Sequence, residues 1–550
     1  MIPLYVLVLL PIFVATLGYF LPRSVYKHLL IAAQLVHTTL AVLTLAHVRD
    51  AGRVVQYLGD WGENIGIGLV ADSLSMPLVL LTSAVFLLLF LFNYGKRYMN
   101  NTFQFLFIML QGVTVGLFLA GDIFHVYVLI ELSMLTIATL IMYKRDKQAL
   151  YDGLLYVVIN LFGMTFFLLG VGFLYKSLGT LDLTAMAARV AMIENPRSLA
   201  LPFAAIVSAV CLKAAILPLF SWLPSAHGAL SAPSAVSAVL SGLQVKVGLY
   251  FLVRLQSVFL PAFDTTIFFF FLGLVTAVVG FSIALVHRDV KLILAFSTVS
   301  QVGLILMGLN SGTDDAYWGS VFHIMNHAIF KALLFITAGA ITHAAGTRDI
   351  TRIRNIAPKA PIFALASLFG VLGITGGPFF NGSVSKYLIQ AGLAGQPWEP
   401  LMYLVNLGTT MVFVKYLQMF LPQRATAGEA HEEPAEIATH HDLPRIPGRV
   451  FAMNSVALLM GALCLAGGVF AGPIMELLFG HTLPISGAFY LDKFLIFGGT
   501  LVVAVALYYG VVHRLEVLSA VREFRFTFNG VATLFTLFFA VVLTYTFLIG

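Results

Sequence analysis

The chain has 550 residues, of which 60% are hydrophobic and 10% charged, and its net charge is +6. A soluble domain carries about a quarter charged residues and a membrane helix uses about 20 apolar ones, so a soluble enzyme and a disordered chain are excluded and the apolar content could fill about sixteen spans. The apolar runs are continuous where an outer-membrane β-barrel would alternate. The two cysteines, Cys211 and Cys464, are too few for a disulfide framework, a zinc site or an iron–sulfur cluster.

In chain order, apolar runs bounded by glycine, proline or charge predict spans at 2–21, 25–48, 66–94, 103–120, 122–143, 153–175, 200–220, 233–253, 265–286, 291–309, 317–342, 361–393, 401–421, 451–472, 494–512 and 528–549. Met1–Leu21 has neither a basic start nor a small-residue cleavage site and reads as a retained first span. The run 361–393 is interrupted by Gly376-Gly377-Pro378 and Gly382. Loops after odd-numbered spans hold nineteen Lys and Arg, and the alternate loops hold seven. Cytoplasmic loops carry the excess of these residues. Both termini are therefore expected outside the cytoplasm, in the cell membrane of a prokaryote. The hydrophilic stretch 422–449, with His431, Glu432, Glu433, Glu436, His440, His441 and Asp442, reads as a solvated cytoplasmic loop. A metal site is conceivable there from composition, but none is assigned. Val512–Phe526 mixes charge with Leu and Val and is expected along the membrane surface.

Five of the Lys and Arg residues remain inside spans, all of them lysines: Lys213, Lys246, Lys331, Lys386 and Lys415. A charge at the bilayer centre costs about 2.5–3.5 kcal/mol even on the lenient insertion scale, so such residues normally face protein or water and mark ion paths. Lysine shifts its proton affinity readily where arginine keeps its charge, so a set of lysines suits proton exchange. Glu131 lies mid-span and is expected to act as a relay acid tuned by a neighbouring lysine. His323, His327 and Lys331 recur every fourth residue and would line one helix face over about 12 Å. Ser297, Thr298, Ser300 and Gln301 add polar groups to the preceding helix. Lys415 lies near a span end, where snorkelling is an alternative to a relay role. Two spans read as broken. Lys213 is followed by Pro218 and Pro224, and Lys386 is preceded by the glycine-proline run. Broken helices in corresponding positions mark inverted repeats in transporters, and Lys213 and Lys386 are five spans apart, as are Lys246 and Lys415.

The stretch Lys213-Ala-Ala-Ile-Leu-Pro218, then Trp222-Leu-Pro224, Ala226-His227, Ala232-Pro233-Ser-Ala-Val-Ser-Ala238 and Lys246-Val-Gly-Leu-Tyr250 resembles the core of the antiporter-like subunits. These occur in Mrp-type cation/proton antiporters, membrane-bound hydrogenases and NADH:quinone oxidoreductase. His323, Asn326-His327, Phe330-Lys331, Gly339 and the Gly376–Lys386 break fit the same pattern. The resemblance implies an all-α polytopic membrane protein of about 14–16 helices, with a core of two inverted five-helix repeats containing broken helices. It implies N-terminal helices at 1–100, half-channel units at 101–258 and 262–421, the loop at 422–450, and C-terminal helices at 451–550. It implies a proton relay through Glu131, Lys213, Lys246, His323, His327, Lys331 and Lys386, with His227, Lys415, Asp72 and His125 as possible participants. Lysine at 386, where some members have glutamate, suits the D-type member of an Mrp antiporter. Ser225 departs from the acid many members carry, 228–231 looks lengthened, and residues after about 475 exceed the core by two spans.

The expected activity is proton translocation within a multisubunit Na+/proton antiporter. The alternatives are the same module in a hydrogenase or quinone-reducing complex and, from another class, a stand-alone solute symporter. The chain shows no nucleotide, flavin or metal motif, so no cofactor and no catalytic chemistry of its own are expected. The expected partners are other membrane subunits, protons, Na+ and the lipid bilayer, and no nucleic acid.

Overall fold

The computed structural model describes residues 2–62, 66–96, 98–228, 232–422, 447–482, 487–512 and 527–550. The charged stretch 423–446 and the segment 513–526, on which the cytoplasmic-loop and membrane-surface expectations fall, lie outside the described residues. Among the described residues the fold is all-α with one small hairpin. It opens with α1 (Leu4–Gly18), α2 (Arg23–Ala51), strands β1 (Val54–Tyr57) and β2 (Gly68–Ala71), and α3 (Ser75–Asn93). A first unit follows: α4 (Asn101–Leu119), α5 (Ile123–Ile141), α6 (Lys147–Leu178), the short α7 (Leu183–Val190), α8 (Ala200–Lys213), α9 (Trp222–Gly228), α10 (Ser234–Val239) and α11 (Val245–Phe259). The second unit is α12 (Thr266–Val286), α13 (Val290–Leu309), α14 (Asp314–Ala345), α15 (Pro361–Thr375), α16 (Asn381–Gly392) and α17 (Glu399–Leu417). The chain closes with α18 (Pro447–Val469), α19 (Ala471–Phe479), α20 (Gly487–Gly510) and α21 (Phe528–Ile549). Among the described residues, thirteen helical segments are long and apolar enough to cross a membrane, with α1 and α15 as shorter apolar helices.

Thirteen of the sixteen expected spans coincide with these segments, whereas 2–21 and 361–393 give shorter apolar helices and 401–421 corresponds to α17, which is not among the thirteen. Residues 66–71 do not extend α3: they form β2, antiparallel to β1 with Val54 opposite Ala71. Asp72 then starts α3 by accepting hydrogen bonds from Leu74 N and Ser75 N at 3.0 and 2.9 Å, which satisfies backbone donors that a helix start leaves unpaired. The run 361–393 is two helices, α15 and α16. The run 233–253 contains a π-turn at Leu240–Gln244 and continues to Phe259, so Arg254 belongs to a helix and not to a loop. Lys291 likewise sits in the first turn of α13.

The two units are copies in register. Leu183 N donates to Gly121 O and Ile123 N donates to Leu181 O, while Ile350 N donates to Arg288 O and Val290 N donates to Arg348 O. All four positions differ by 167 residues between the copies. The same offset carries α6 onto α14, each 32 residues long. Both of these helices end at a glycine with positive φ, Gly179 at 65° and Gly346 at 68°, a left-handed cap that only glycine adopts without strain. The motifs that follow are Gly179-Thr-Leu-Asp-Leu-Thr184 and Gly346-Thr-Arg-Asp-Ile-Thr351. Five spans separate equivalent points, an odd number, so the units are inverted.

Helices approach closely where small residues face each other, as membrane packing favours. A Cβ on Gly303 of α13 would lie 2.3 Å from Ala277 N of α12. The two C-terminal helices flank different units. In α21, Phe535 packs 5.4 Å from Phe162 and 5.0 Å from Phe166 of α6. Tyr509 of α20 accepts from Gln418 Nε2 just beyond α17, at 3.2 Å.

Candidate functional site: a buried lysine–histidine line

The first broken helix ends on its lysine. Lys213 is the last residue of α8 and is 2% exposed. Its Nζ donates to Ser133 Oγ of α5 at 3.4 Å. Beyond it the backbone turns sharply through Ala215, at φ 57°. The carbonyls a helix end leaves unpaired are partly met by Trp222, whose Nε1 donates to Leu212 O at 2.6 Å. Glu131 of α5 lies within electrostatic reach of Lys213 without direct ion-pair contact, and its buried Oε1 has no hydrogen-bond partner. Glu131 is only partly buried and sits beside Val128, Leu132 and Leu135, which are exposed on this chain. It is therefore a more peripheral acid than a mid-core relay position implies.

The Lys-Val-Gly wording has a packing reason. A Cβ on Gly248 would lie 2.4 Å from Ala214 N, so the glycine lets α11 approach the break directly after Lys213. Two residues before it, Lys246 is fully buried and its Nζ donates to Ser241 O at 2.5 Å. That carbonyl belongs to the π-turn, a distortion that often marks functional sites because it frees backbone groups. Lys246 Nζ also lies 2.5 Å from His327 Nδ1.

On α14, the rings of His323 and His327 are 6.3 Å apart and both are fully buried. His323 is held from both sides, by Ser385 Oγ at 2.8 Å on Nδ1 and Gln301 Oε1 at 2.9 Å on Nε2. His327 Nε2 has no partner. Lys331 Nζ donates to Leu294 O at 2.8 Å and to Ser297 Oγ of α13. The three residues thus share a buried face, with partners from α13 for His323 and Lys331, from α16 for His323 and from α11 for His327.

The second broken helix differs from the first. α15 stops at Gly376 with φ 82°, and α16 carries Lys386 past the break. Lys213 precedes its break and Lys386 follows its own, so the two lysines are not at the same point of the repeat. Lys386 is 4% exposed, its Nζ has no hydrogen-bond partner, and a Cβ on Gly376 would touch its stem at 3.4 Å. It is linked to the line through its neighbour Ser385 on His323.

The remaining candidates scatter. Both ring nitrogens of the fully buried His227 are unpartnered, and the ring stacks on Phe335 at 4.8 Å. Lys415 Nζ donates to Leu285 O at 2.6 Å and to His287 O, closing the C-terminal end of α12; this geometry is that of a helix cap. His125 lies in the first turn of α5, about 9 Å along the helix from Glu131. Asp72 forms an ion pair with Arg254 Nη2 at 2.5 Å and ties the start of α3 to α11. Burial works to raise the Asp72 carboxyl, but the Arg254 guanidinium and the N–H groups of Ser75 and Leu74 outweigh it and hold it below the usual carboxylate value. Sequence reasoning missed Lys291, which is 8% exposed with Nζ donating to Ala232 O at 2.8 Å. Its position one residue inside a span made it read as a loop residue.

The family model for NADH:quinone oxidoreductase/Mrp antiporter transmembrane proteins matches residues 120–412. A protein of Staphylococcus epidermidis, by name antiporter subunit mnhD2, is 30% identical over 376 residues, covering 67% of this chain and 74% of that protein. A chain of the Mrp complex from Dietzia sp. DQ12-45-1b superposes with a TM-score of 0.76 at 24% identity, over 95% of this chain and 100% of that one. A chain of an archaeal membrane-bound sulfane sulfur reductase complex superposes with a TM-score of 0.75 at 25% identity, over 91% and 99%. The paired broken helices, the buried lysines and these likenesses agree: the chain is a multi-pass membrane protein of the NADH:quinone oxidoreductase/Mrp antiporter family.

Proposed function

We propose that this chain is the proton-translocating subunit of a multisubunit monovalent cation/proton antiporter, with Na+ as the coupled cation. The observation that carries the reading is the buried sequence Lys246–His327–His323–Ser385–Lys386, joined by hydrogen bonds of 2.5 and 2.8 Å and a ring spacing of 6.3 Å. A proton reaching Glu131 or Lys213 from one side changes the field at Lys246 across the Gly248 contact. Lys246 and His327 exchange charge, and the change passes through His323 to Lys386. Each step exploits the strong mutual influence of charges that protein shields from water. Lys331 sets the potential beside His327. The names of its relatives support an antiporter, and partners among other membrane subunits follow from that reading. So does a prokaryotic cell membrane with both termini outside the cytoplasm, a topology that rests on the loop charge bias.

Lys213→Ala and Glu131→Ala in the whole complex should each abolish cation-driven proton movement in vesicles while assembly on a native gel is retained. Wild-type flux in Lys213→Ala would overturn the relay. The same module in a redox-driven complex predicts that soluble iron–sulfur or flavin subunits co-purify. A cysteine placed in 425–440 should label only from the cytoplasmic side, and labelling from outside would refute the topology.

A further inference from the structure

The 167-residue register permits a residue-by-residue comparison that the relay leaves unused. It places Tyr156 of α6 at the position of His323 in α14, Asn160 at that of His327, and Met164 at that of Lys331. On the facing helices, Ser133 of α5 matches Ser300 of α13, and Glu131 matches Thr298. The acid therefore occurs in one copy only, and the histidine pair in the other. Tyr156 is the group of α6 that retains a polar atom at the point where α14 bears His323.

Tyr156 is 1% exposed and its hydroxyl has no hydrogen-bond partner. A buried hydroxyl without a partner is a standing penalty, and phenylalanine would fill the same volume. Its ring packs edge-on to Trp222 with centroids 5.5 Å apart, and that indole closes the carbonyl of Leu212, beside Lys213. The hydroxyl also lies within electrostatic reach of Glu131, whose buried Oε1 is unpartnered too. Two buried, unpartnered oxygens, one a donor and one an acceptor, thus stand on the packed helices α6 and α5 within electrostatic reach of each other.

We propose that Tyr156 is a positioning residue for the first unit: its O–H donates to the Glu131 carboxylate when that side chain turns inward from its position here, in which neither Lys213 nor Tyr156 bonds it. This holds the carboxylate on the inner side of α5, away from the chain's exposed face. The groups facing Glu131 are Tyr127 on its own helix, Tyr156 on α6 and Lys213 on α8. Of the two tyrosines, only Tyr156 is fully buried and fixed by packing against the broken helix. Lys213 and Tyr156 would then alternate as partners of one carboxylate, as Gln301 and Ser385 hold His323 in the other copy.

The inference rests on the relay reading, and the experiment separates the two. Tyr156→Phe, Tyr156→His and Glu131→Ala are made in the whole complex, assembly is checked by native gel, and cation-driven proton movement in vesicles is followed across pH. Tyr156→Phe should lower flux roughly tenfold, the scale of one hydrogen bond to a charged group, and change the shape of the pH profile. Tyr156→His, which restores a donor as in the second copy, should recover most of the flux. The carboxyl stretch of Glu131 in infrared difference spectra, identified by its loss in Glu131→Ala, should shift in Tyr156→Phe. If Glu131→Ala keeps wild-type flux, the relay reading fails at this end. If Glu131→Ala abolishes flux while Tyr156→Phe leaves flux, pH profile and the infrared band unchanged, the positioning role alone is overturned. A uniform fall in flux at all pH values with an unshifted band would mark Tyr156 as packing only and also overturn it.

Discussion

Lys246 Nζ and His327 Nδ1 lie 2.5 Å apart, and both side chains are fully buried. A hydrogen bond needs one donor and one lone pair, so an ammonium can face a neutral ring or an amine can face a protonated one. Both cannot be protonated at this separation in a low-dielectric interior without strong repulsion. The pair therefore carries at most one positive charge as a unit, and a charge arriving from Lys213 on one side or His323 on the other shifts whether and where that proton sits.

The first prediction follows from this unit. Lys246→Ala and His327→Gln should each lower cation-driven proton flux by about two orders of magnitude, the usual worth of a positioned proton-transfer group. The double variant should be no worse than the more damaged single variant, because groups that act together do not add. Additive losses in vesicle flux would separate the two residues into independent roles.

Much of this was legible in the sequence, for physical reasons. Spans and buried lysines stand out because a bilayer tolerates few charges and each must be conspicuous. The breaks after Lys213 and before Lys386 were marked by proline and glycine. The π-turn at Leu240–Gln244 was not, because Leu-Ser-Gly-Leu-Gln fits an α-turn equally well and the lysine that takes up its Ser241 carbonyl is itself placed by the distant His327. The hairpin at 54–57 and 68–71 was hidden because Gly68-Leu-Val-Ala71 is as apolar as the helix it precedes. The clearest missed signal was the pair Gly-Thr-Leu-Asp-Leu-Thr and Gly-Thr-Arg-Asp-Ile-Thr. Four identical positions of six at a fixed offset would have set the repeat register and brought Tyr156 opposite His323. Whether a span lysine serves as relay or cap depends on which backbone faces it, and no local pattern around Lys415 encodes the end of α12.

The second prediction concerns that cap. Lys415 closes three carbonyls at the end of α12, at Ala284, Leu285 and His287. Lys415→Ala should destabilise the protein by about 1.5–3 kcal/mol, the range for hydrogen bonds to a charged donor, seen as a lower thermal midpoint in detergent. Lys415→Arg retains donors and charge and should keep most of the stability and flux. A stable, transport-dead arginine variant would return Lys415 to the relay.

The third prediction is a pH dependence of stability. The Asp72 carboxyl is held below its usual value of 3.8 in the folded chain, despite burial, by Arg254 and backbone donors. A group with a lowered folded value contributes its full stabilisation above its unfolded value and loses it as pH falls through the folded one. Asp72→Asn should therefore lower the thermal midpoint at neutral pH, and the gap from wild type should narrow below about pH 4. A gap that stays constant into that acid range would show that the α3–α11 tie does not depend on the carboxylate charge.

The last prediction separates proton exchange from a static charge at Lys386. This lysine is 4% exposed, its Nζ has no hydrogen-bond partner, and Gly376 leaves room for its stem. Lys415, by contrast, caps the carbonyls at the end of α12. An unpartnered amine beside the Ser385–His323 bond is instead suited to gaining and losing a proton. Arginine keeps its proton and brings five donors to a place that offers few acceptors, so Lys386→Arg should fail nearly as badly as Lys386→Ala. Lys386→Glu can titrate and should retain partial flux. Gly376→Ala, which adds a methyl at positive φ against the lysine stem, should reduce flux without removing any titratable group. The measurement is cation-driven proton movement in vesicles bearing the whole complex, with assembly verified by native gel. Near-wild-type flux in the arginine variant would reduce Lys386 to a fixed charge and end the relay at His323.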